Sequence, residues 1–275
     1  MPTSNIAILI PHYNNLTGLN RSLSGISNIE PVDVVIVDDG SKDKPALNDL
    51  KLSFPSINNF HLVLLEKNQG IEHALNAGLK FIVDEGTYTL IARLDCGDIC
   101  KEERFKVQSD FLKENPDVHL VGSWVLWVDP DYKPLYQYEL PQTHEEIKKL
   151  IYYKDPFVHP AVMFRVSSLA KTGFYPTQYI YCEDTAFFYN FIVNFKTANI
   201  PLTLVNCIID PKGISQSKYR KQKLSRIRFC LDTFSFRYIF MWTLGFAKNV
   251  ICYLLGNKIP TKLAMLIERK NTFAQ

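Results

Sequence analysis

Six cysteines in 275 residues, at positions 96, 100, 182, 207, 230 and 252, include no CxxC pair. Scattered thiols favour neither a zinc site nor a disulfide framework, and they suit a reducing cytoplasm. Residues 1–5 carry no basic side chain, and the apolar run 6–10 is too short for the core of a secretory leader, so none is expected. No GxGxxG follows that first run and GxxxxGK[ST] is absent, so dinucleotide and P-loop phosphate sites are not expected. There is no repeat of fixed period and no low-complexity segment. What is there is ordinary for a soluble globular protein: 47% hydrophobic and 21% charged residues.

The net charge of +3 conceals an asymmetry. Residues 211–275 hold 13 Lys and Arg against only Asp232 and Glu268, a net of +11. Residues 1–210 carry a net of −8. The chain therefore divides into an acidic body, 1–210, and a basic, aromatic-rich helical extension, 211–275. Such an extension points to an anionic surface.

In the body, short apolar runs alternate with helical patterns. Residues 6–10, 32–37, 60–65 and 90–94 read as buried strands. Leu16, Leu19, Leu23 and Ile26, and later Ala74, Leu75, Leu79 and Ile82, recur at helical spacing. Residues 118–128 read as a further strand, bent at Gly122. This rhythm predicts an α/β fold, a mainly parallel sheet with helices on both faces.

Ligands of such sheets bind beyond the carboxyl ends of the strands. The polar clusters fall there: residues 11–15 after the first strand, 38–41 after the second, 68–70 after the third and 95–98 after the fourth. Turn chemistry accounts for any one of them. It does not account for Asp39, Asp95 and Asp98 gathering on one rim, where like charges repel unless a cation or a donor-rich ligand lies between them. Asp39 can accept from a pyrimidine ring N–H or a ribose hydroxyl. Asp95 and Asp98 offer hard oxygens suited to Mg2+ or Mn2+. Arg93 has two readings, a salt bridge to these aspartates or a direct ligand contact.

In order, Pro11-His12-Tyr13-Asn14, Val37-Asp38-Asp39-Gly40-Ser41, Asn68-Gln69-Gly70, Arg93-Leu94-Asp95-Cys96-Gly97-Asp98, His159-Pro160-Ala161 and Cys182-Glu183-Asp184 resemble the segments of the family 2 glycosyltransferases. The resemblance spans roughly residues 5–210. It implies a GT-A fold, a nucleotide-diphosphate sugar donor (UDP- or dTDP-linked), a divalent cation and inversion at the anomeric carbon. Carried over by position, it places Pro11, Tyr13, Asp39, Arg93 and Asp95 at the donor, Asp98 on Mn2+ or Mg2+, and Asp184 as the catalytic base. Glu183 and His159 would contact the acceptor or the diphosphate. The family commonly has an acidic residue where this chain has Gly97. From the residues alone, Glu183-Asp184 opens a helical pattern and could equally be first-turn acids, and His159 could be a loop histidine held by Pro160. A sugar-nucleotide pyrophosphorylase is the alternative enzyme, but it would want a basic, Gly-rich loop after the first strand. A non-catalytic, membrane-docked module that binds nucleotide sugars is the alternative outside enzymes.

The extension begins with Lys212, Lys218, Arg220, Lys221, Lys223, Arg226 and Arg228, and continues into an aromatic-rich stretch, 229–255. Without a nucleic-acid-binding signature, this pattern predicts no nucleic-acid partner. Lys248 and Asn249 interrupt the apolar run and make it a poor membrane span. A helix lying in an anionic membrane interface fits the pattern, as does a helical subdomain packed on the body with a solvated basic face. The first reading agrees with a lipid-linked glycan acceptor, as in lipopolysaccharide, O-antigen or capsule assembly, and with a peripheral place on the cytoplasmic face of the plasma membrane.

Overall fold

In the computed structural model, residues 4–210 and 217–256 are described. Strands β1 (Ile6–His12), β2 (Asp33–Asp38), β3 (Asn59–Leu64) and β4 (Leu90–Arg93) run parallel in the order β3-β2-β1-β4. β1, β2 and β4 are covered on both faces, which is why their sequences are continuous apolar runs and not alternating ones. The short antiparallel β8 (Met163–Arg165) links β4 to β6 (Val118–Val128). β9 (Lys196–Ile208) pairs with β6 in parallel, and β5 (Ile99–Cys100) closes that edge. β7 (Pro134–Tyr138) pairs with the second half of β6. The sheet is thus parallel in its longer strands, with three short antiparallel ones.

Alternate side chains of β1 feed two cores. Ile6, Ile8 and Ile10 meet Leu19 and Leu23 of α1 (Leu16–Ser24) and Phe105 and Leu112 of α4 (Arg104–Glu114). Ala7 and Leu9 meet Leu75, Leu79 and Ile82 of α3 (Ile71–Glu85) and Phe187 and Phe191 of α7 (Glu183–Asn194). Truncating such a buried leucine to alanine typically costs about 2–5 kcal/mol. α2 (Leu47–Ser53) flanks β3. α5 (His144–Leu150) starts from a capping box between Thr143 and Glu146, and α6 (Leu169–Thr172) is a single turn.

Among the described residues of the extension, two helices, α8 (Tyr219–Asp232) and α9 (Ile239–Leu255), pack on one another. Trp242 joins them by donating its ring N–H to the Cys230 carbonyl at 2.6 Å, and its ring stacks on Phe246. α9 presses on the body so closely that a Cβ at Gly245 would lie 1.9 Å from the Tyr152 carbonyl oxygen. The other side of α9 is bare: Phe240 is 71% exposed and Leu254 67%. Contrary to the expectation of a poor span, residues Phe236–Leu255 are long and apolar enough to cross a membrane by length and composition, with a mean hydropathy of 1.4. Lys212 of the basic run lies outside the described residues.

Candidate active site

A cleft of about 1010 Å³ opens at the carboxyl ends of the central strands. Pro11, Tyr13, Asp39, Asp95, Asp98, His159, Glu183 and Asp184 all line it. Residues from separate segments, spread over more than 170 positions of the chain, are thereby brought to one rim.

Two loops shape the end after β1 and β2. His12 is buried and pairs through Nδ1 with Asp38 at 2.7 Å, while its Nε2 accepts from the Asn15 amide at 3.2 Å. Those partners fix the ring as the Nδ1–H tautomer. Gly40 has φ 73°, and a Cβ there would lie 2.5 Å from the Lys67 carbonyl carbon. Glycine therefore allows the loop after β2 to press against residues 67–70. Asp39 consequently accepts from the amides of Gln69 at 2.8 Å and Gly70 at 3.0 Å. Its carboxylate is fixed at the cleft wall with lone pairs left for a ligand N–H. Tyr13 is half exposed above it.

The loop after β4 holds two aspartates in different states. Arg93 is fully buried, does not line the cleft, and pairs with Asp95 while also donating to the Leu94 carbonyl. Of its two readings, the salt bridge is the one seen in the structure, with the guanidinium fully buried behind Asp95. Burial works to raise the Asp95 carboxyl, but the Arg93 charge, His159 and the Arg93 hydrogen bond together outweigh it, holding the group below the usual range. Burial, and then the Asp95 charge, push Asp98 up to about 8. One Asp98 oxygen accepts from the Ile208 amide at 2.9 Å. Gly97 has φ 109°, a conformation that L side chains resist, and its carbonyl accepts from the Tyr132 hydroxyl.

The N-terminus of α7 lines the same cleft. Asp184 is half-buried, and one of its oxygens accepts from the Thr185 amide at 2.7 Å. Burial, and then the Asp155 charge, raise it to about 7. Glu183 is buried, raised to about 8 by burial and Asp184, and its Oε2 has no hydrogen-bond partner among the described residues. Tyr181, just before, has φ 65°. Among the described residues the other non-glycine positive-φ residues are Asn14 and Tyr132, next to Tyr13 and on Gly97. Tyr181 lines the cleft and the other two adjoin residues that do, as stored backbone strain at functional sites commonly does. His159 shares a 2.8 Å hydrogen bond with Tyr175, and burial and the nearby Arg93 charge push it down to about 3, so it stays neutral.

Sequence reasoning missed the support behind Asp184. Arg226 of α8 is buried and donates to the Asp155 carboxylate, to Thr185 Oγ1 and to the Ile151 carbonyl. In the sequence it is one cation of a basic run, and nothing local marks it as internal. Of the aromatics between 124 and 136, Trp127 and Tyr136 line the cleft, whereas Trp124 packs against the core with its ring N–H on the Leu140 carbonyl.

Asp95 and Asp98 suit a hard divalent cation, with room in the cleft for phosphate oxygens to complete its shell. Among the described residues no group of three or more His, Cys, Asp or Glu could hold a metal unaided. The donor set therefore fits an ion shared with a bound diphosphate.

Residues 7–173 match the model of the family described as "Glycosyl transferase family 2". The chain is 31% identical to the amylovoran biosynthesis glycosyltransferase AmsE of Erwinia amylovora over 96% of this chain and 98% of that one. It is 29% identical to the Escherichia coli UDP-Gal:alpha-D-GlcNAc-diphosphoundecaprenol beta-1,3-galactosyltransferase over 92% and 90%. Its fold is similar to that of S. aureus TarS, with a TM-score of 0.66 and 18% identity, covering 95% of this chain and 46% of TarS. A mannosyltransferase from Pyrobaculum calidifontis, solved with GDP-Man and Mn2+, gives a TM-score of 0.61 at 14% identity, covering 97% of this chain and 80% of that one. These likenesses identify the fold as GT-A. With its strand-end carboxylates gathered on one cleft and its sequence matching along the same segments, the chain belongs to glycosyl transferase family 2 and is a glycosyltransferase.

Proposed function

We propose that the enzyme moves a sugar, with inversion, from a nucleotide diphosphate to a hydroxyl of a lipid-linked glycan. The observation that carries this reading is the convergence, in one cleft, of the Asp39/Asp95/Asp98 rim and a half-buried carboxylate, Asp184, raised to about 7. An inverting transfer is one in-line displacement. It needs a base on the face away from the leaving diphosphate and no covalent nucleophile. A carboxylate titrating near pH 7 is ionised often enough to accept the hydroxyl proton and basic enough to hold it.

Pro11, Tyr13 and Asp39 would hold the nucleoside. Asp95, pinned by Arg93, would meet the ribose or the donor sugar. Asp98 would hold Mn2+ or Mg2+, which would offset the charge developing on the diphosphate as the glycosidic bond breaks. Glu183, proton-bearing at neutral pH, can donate to a sugar hydroxyl, and neutral His159 offers a contact to the acceptor or the diphosphate. The names of the relatives, one of which acts on a GlcNAc-diphosphoundecaprenol and one in amylovoran biosynthesis, support a lipid-linked acceptor in surface-polysaccharide assembly. S. aureus TarS has been solved with UDP and with UDP-GlcNAc, which supports a UDP-sugar donor.

We further propose that residues 1–210 form the catalytic body and that 211–275 hold it to the cytoplasmic face of the plasma membrane. The bare apolar side of α9 and the exposed Lys218, Arg220 and Lys221 support this placement. With Gly245 and Asn249 of α9 buried in the protein, a helix lying along the surface agrees better with the packing than a free span does. A thermal-shift panel of nucleotide sugars with and without Mn2+ tests the donor reading. Stabilisation by a UDP- or dTDP-sugar that grows with Mn2+ is expected; no response to any nucleotide sugar would contradict it.

A further inference from the structure

The cleft around Asp184 also carries three lysines that the reaction above does not use, beside the Arg226 that supports the base. Lys154, Lys223, Arg226 and Lys248 all line it, and they come from three elements: the segment after α5, α8 and α9. Each lysine extends over a tyrosine ring, Lys154 over Tyr138 at 5.1 Å, Lys223 over Tyr219 at 5.0 Å and Lys248 over Tyr153 at 4.3 Å. Ring faces hold a cation without neutralising it. Among the described residues neither Lys154 nor Lys223 forms a salt bridge within 4.0 Å. The carboxylates that line this part of the cleft are Asp155, which is paired with Arg226 and also feels Lys223, the α7 acids Glu183 and Asp184, and Asp210. Lys154 and Lys223 thus leave the patch a positive surplus that no salt bridge among the described residues offsets.

Its position decides what that surplus serves. Arg226 and Asp155 both bond to Thr185, the residue after Asp184. Arg226 is therefore tied to the residue beside the base, with Lys154 next in sequence to Asp155 and Lys223 one helical turn from Arg226. The donor's diphosphate belongs at Asp98, in the loop after β4. A displacement in line has its nucleophile on the base side, so an anion bound among these lysines arrives with the acceptor. On α9 the exposed Leu244 and Ile251 lie one turn to either side of Lys248, which puts apolar surface beside the cation.

We propose that Lys154, Lys223 and Lys248 form a binding site for the diphosphate of the acceptor, a sugar diphosphate carried on a lipid. The site rests on the proposed transfer only for its biological use; its affinity for an alkyl diphosphate stands by itself. A lysine–phosphate contact is a charge-assisted hydrogen bond, and losing one weakens binding by about tenfold or more.

The test uses the full chain in EDTA and decyl diphosphate as the probe, followed by calorimetry. Wild type should bind it, and in a parallel titration without EDTA, UDP with Mn2+ should not displace it. Lys154→Gln and Lys223→Gln together should weaken it about 100-fold, two such contacts, while leaving UDP–Mn2+ affinity unchanged, which also shows that the variant is folded. Failure of wild type to bind, equal binding by the variant, or displacement by UDP would each overturn the site, the last assigning the lysines to the donor. In turnover, the variant should raise KM for a sugar-diphosphate-alkyl acceptor and not for the matching neutral alkyl glycoside. If the probe binds as expected but wild type transfers sugar to neither acceptor, the function proposed above fails and the anion site stands.

Discussion

Replacing Asp184 by asparagine should do two opposite things. The substitution keeps the side-chain shape and an oxygen for the Thr185 amide, so the fold should persist. Transfer should fall roughly 100-fold or more, the range expected for losing a general base. Stability should move the other way. Burial and Asp155 raise Asp184 from 3.8 to about 7 in the folded protein. The unfolded chain ionises this group near its ordinary value. Above that value folding must therefore hold back a proton or carry a disfavoured charge, and the penalty grows with pH until it is complete above about 7. Three pH units correspond to about 4 kcal/mol at 1.36 kcal/mol per unit. Asp184 is half-buried at the cleft edge, and solvent screening reduces this to about 1–2 kcal/mol. An asparagine side chain, which does not ionise, carries no such penalty. Thermal melts should show Asp184→Asn matching wild type near pH 4.5 and exceeding it at pH 8, by roughly 2 °C or more. Wild-type kcat should in turn rise with pH through about 7 and then level off. A folded Asp184→Asn protein with near-wild-type transfer would refute the assignment. A stability difference that does not change between pH 4.5 and 8 would refute the electrostatics behind it.

Asp98→Ala should weaken nucleotide-diphosphate binding more in Mn2+ than in EDTA, because the lost group is a cation ligand; calorimetry in the two buffers checks this, and wild-type activity untouched by EDTA would contradict it. Gly245→Ala should force α9 off the Tyr152–Tyr153 backbone, lowering stability by about 1–3 kcal/mol while leaving nucleotide affinity in place, as read by melting and calorimetry. Liposome flotation should require anionic lipid, with each of Lys218, Arg220 and Lys221 contributing about 1 kcal/mol near the surface. Added salt should weaken binding but leave a remainder. Phe240→Ser with Leu254→Ser should remove that remainder. Trp242 is the wrong residue for such a test, because it ties α9 to α8.

How legible these features are in the sequence follows from where each one's cause lies. β1, β2 and β4 stand out because burial on both faces demands unbroken apolar runs, and the carboxyl ends of such strands then locate Asp39, Asp95 and Asp98. β9 is hidden. It pairs along most of its length with β6, yet Pro201 interrupts it and its buried positions include Thr197 and Asn199, so neither a run nor a clean alternation shows. Its partner is some 80 residues away, and that pairing is what makes it a strand. Arg93 and Arg226 escape a sequence reading for a related reason. Composition cannot tell an internal guanidinium that fixes Asp95 or Asp155 from one that faces a ligand or a membrane. The bend expected at Gly122 has a counterpart in the shift of the β6–β9 register at Ser123–Trp124.

The central claim is a single displacement with Asp184 as base, and the stereochemistry of the product tests it most directly. A sugar-diphosphate-alkyl acceptor would be incubated with whichever α-linked nucleotide sugar stabilises the protein, in Mn2+, and the new linkage read from the anomeric proton by NMR. A β-linked product formed by wild type and lost in Asp184→Asn is the expected result. An α-linked product would require two displacements or a front-face mechanism, and would contradict the account.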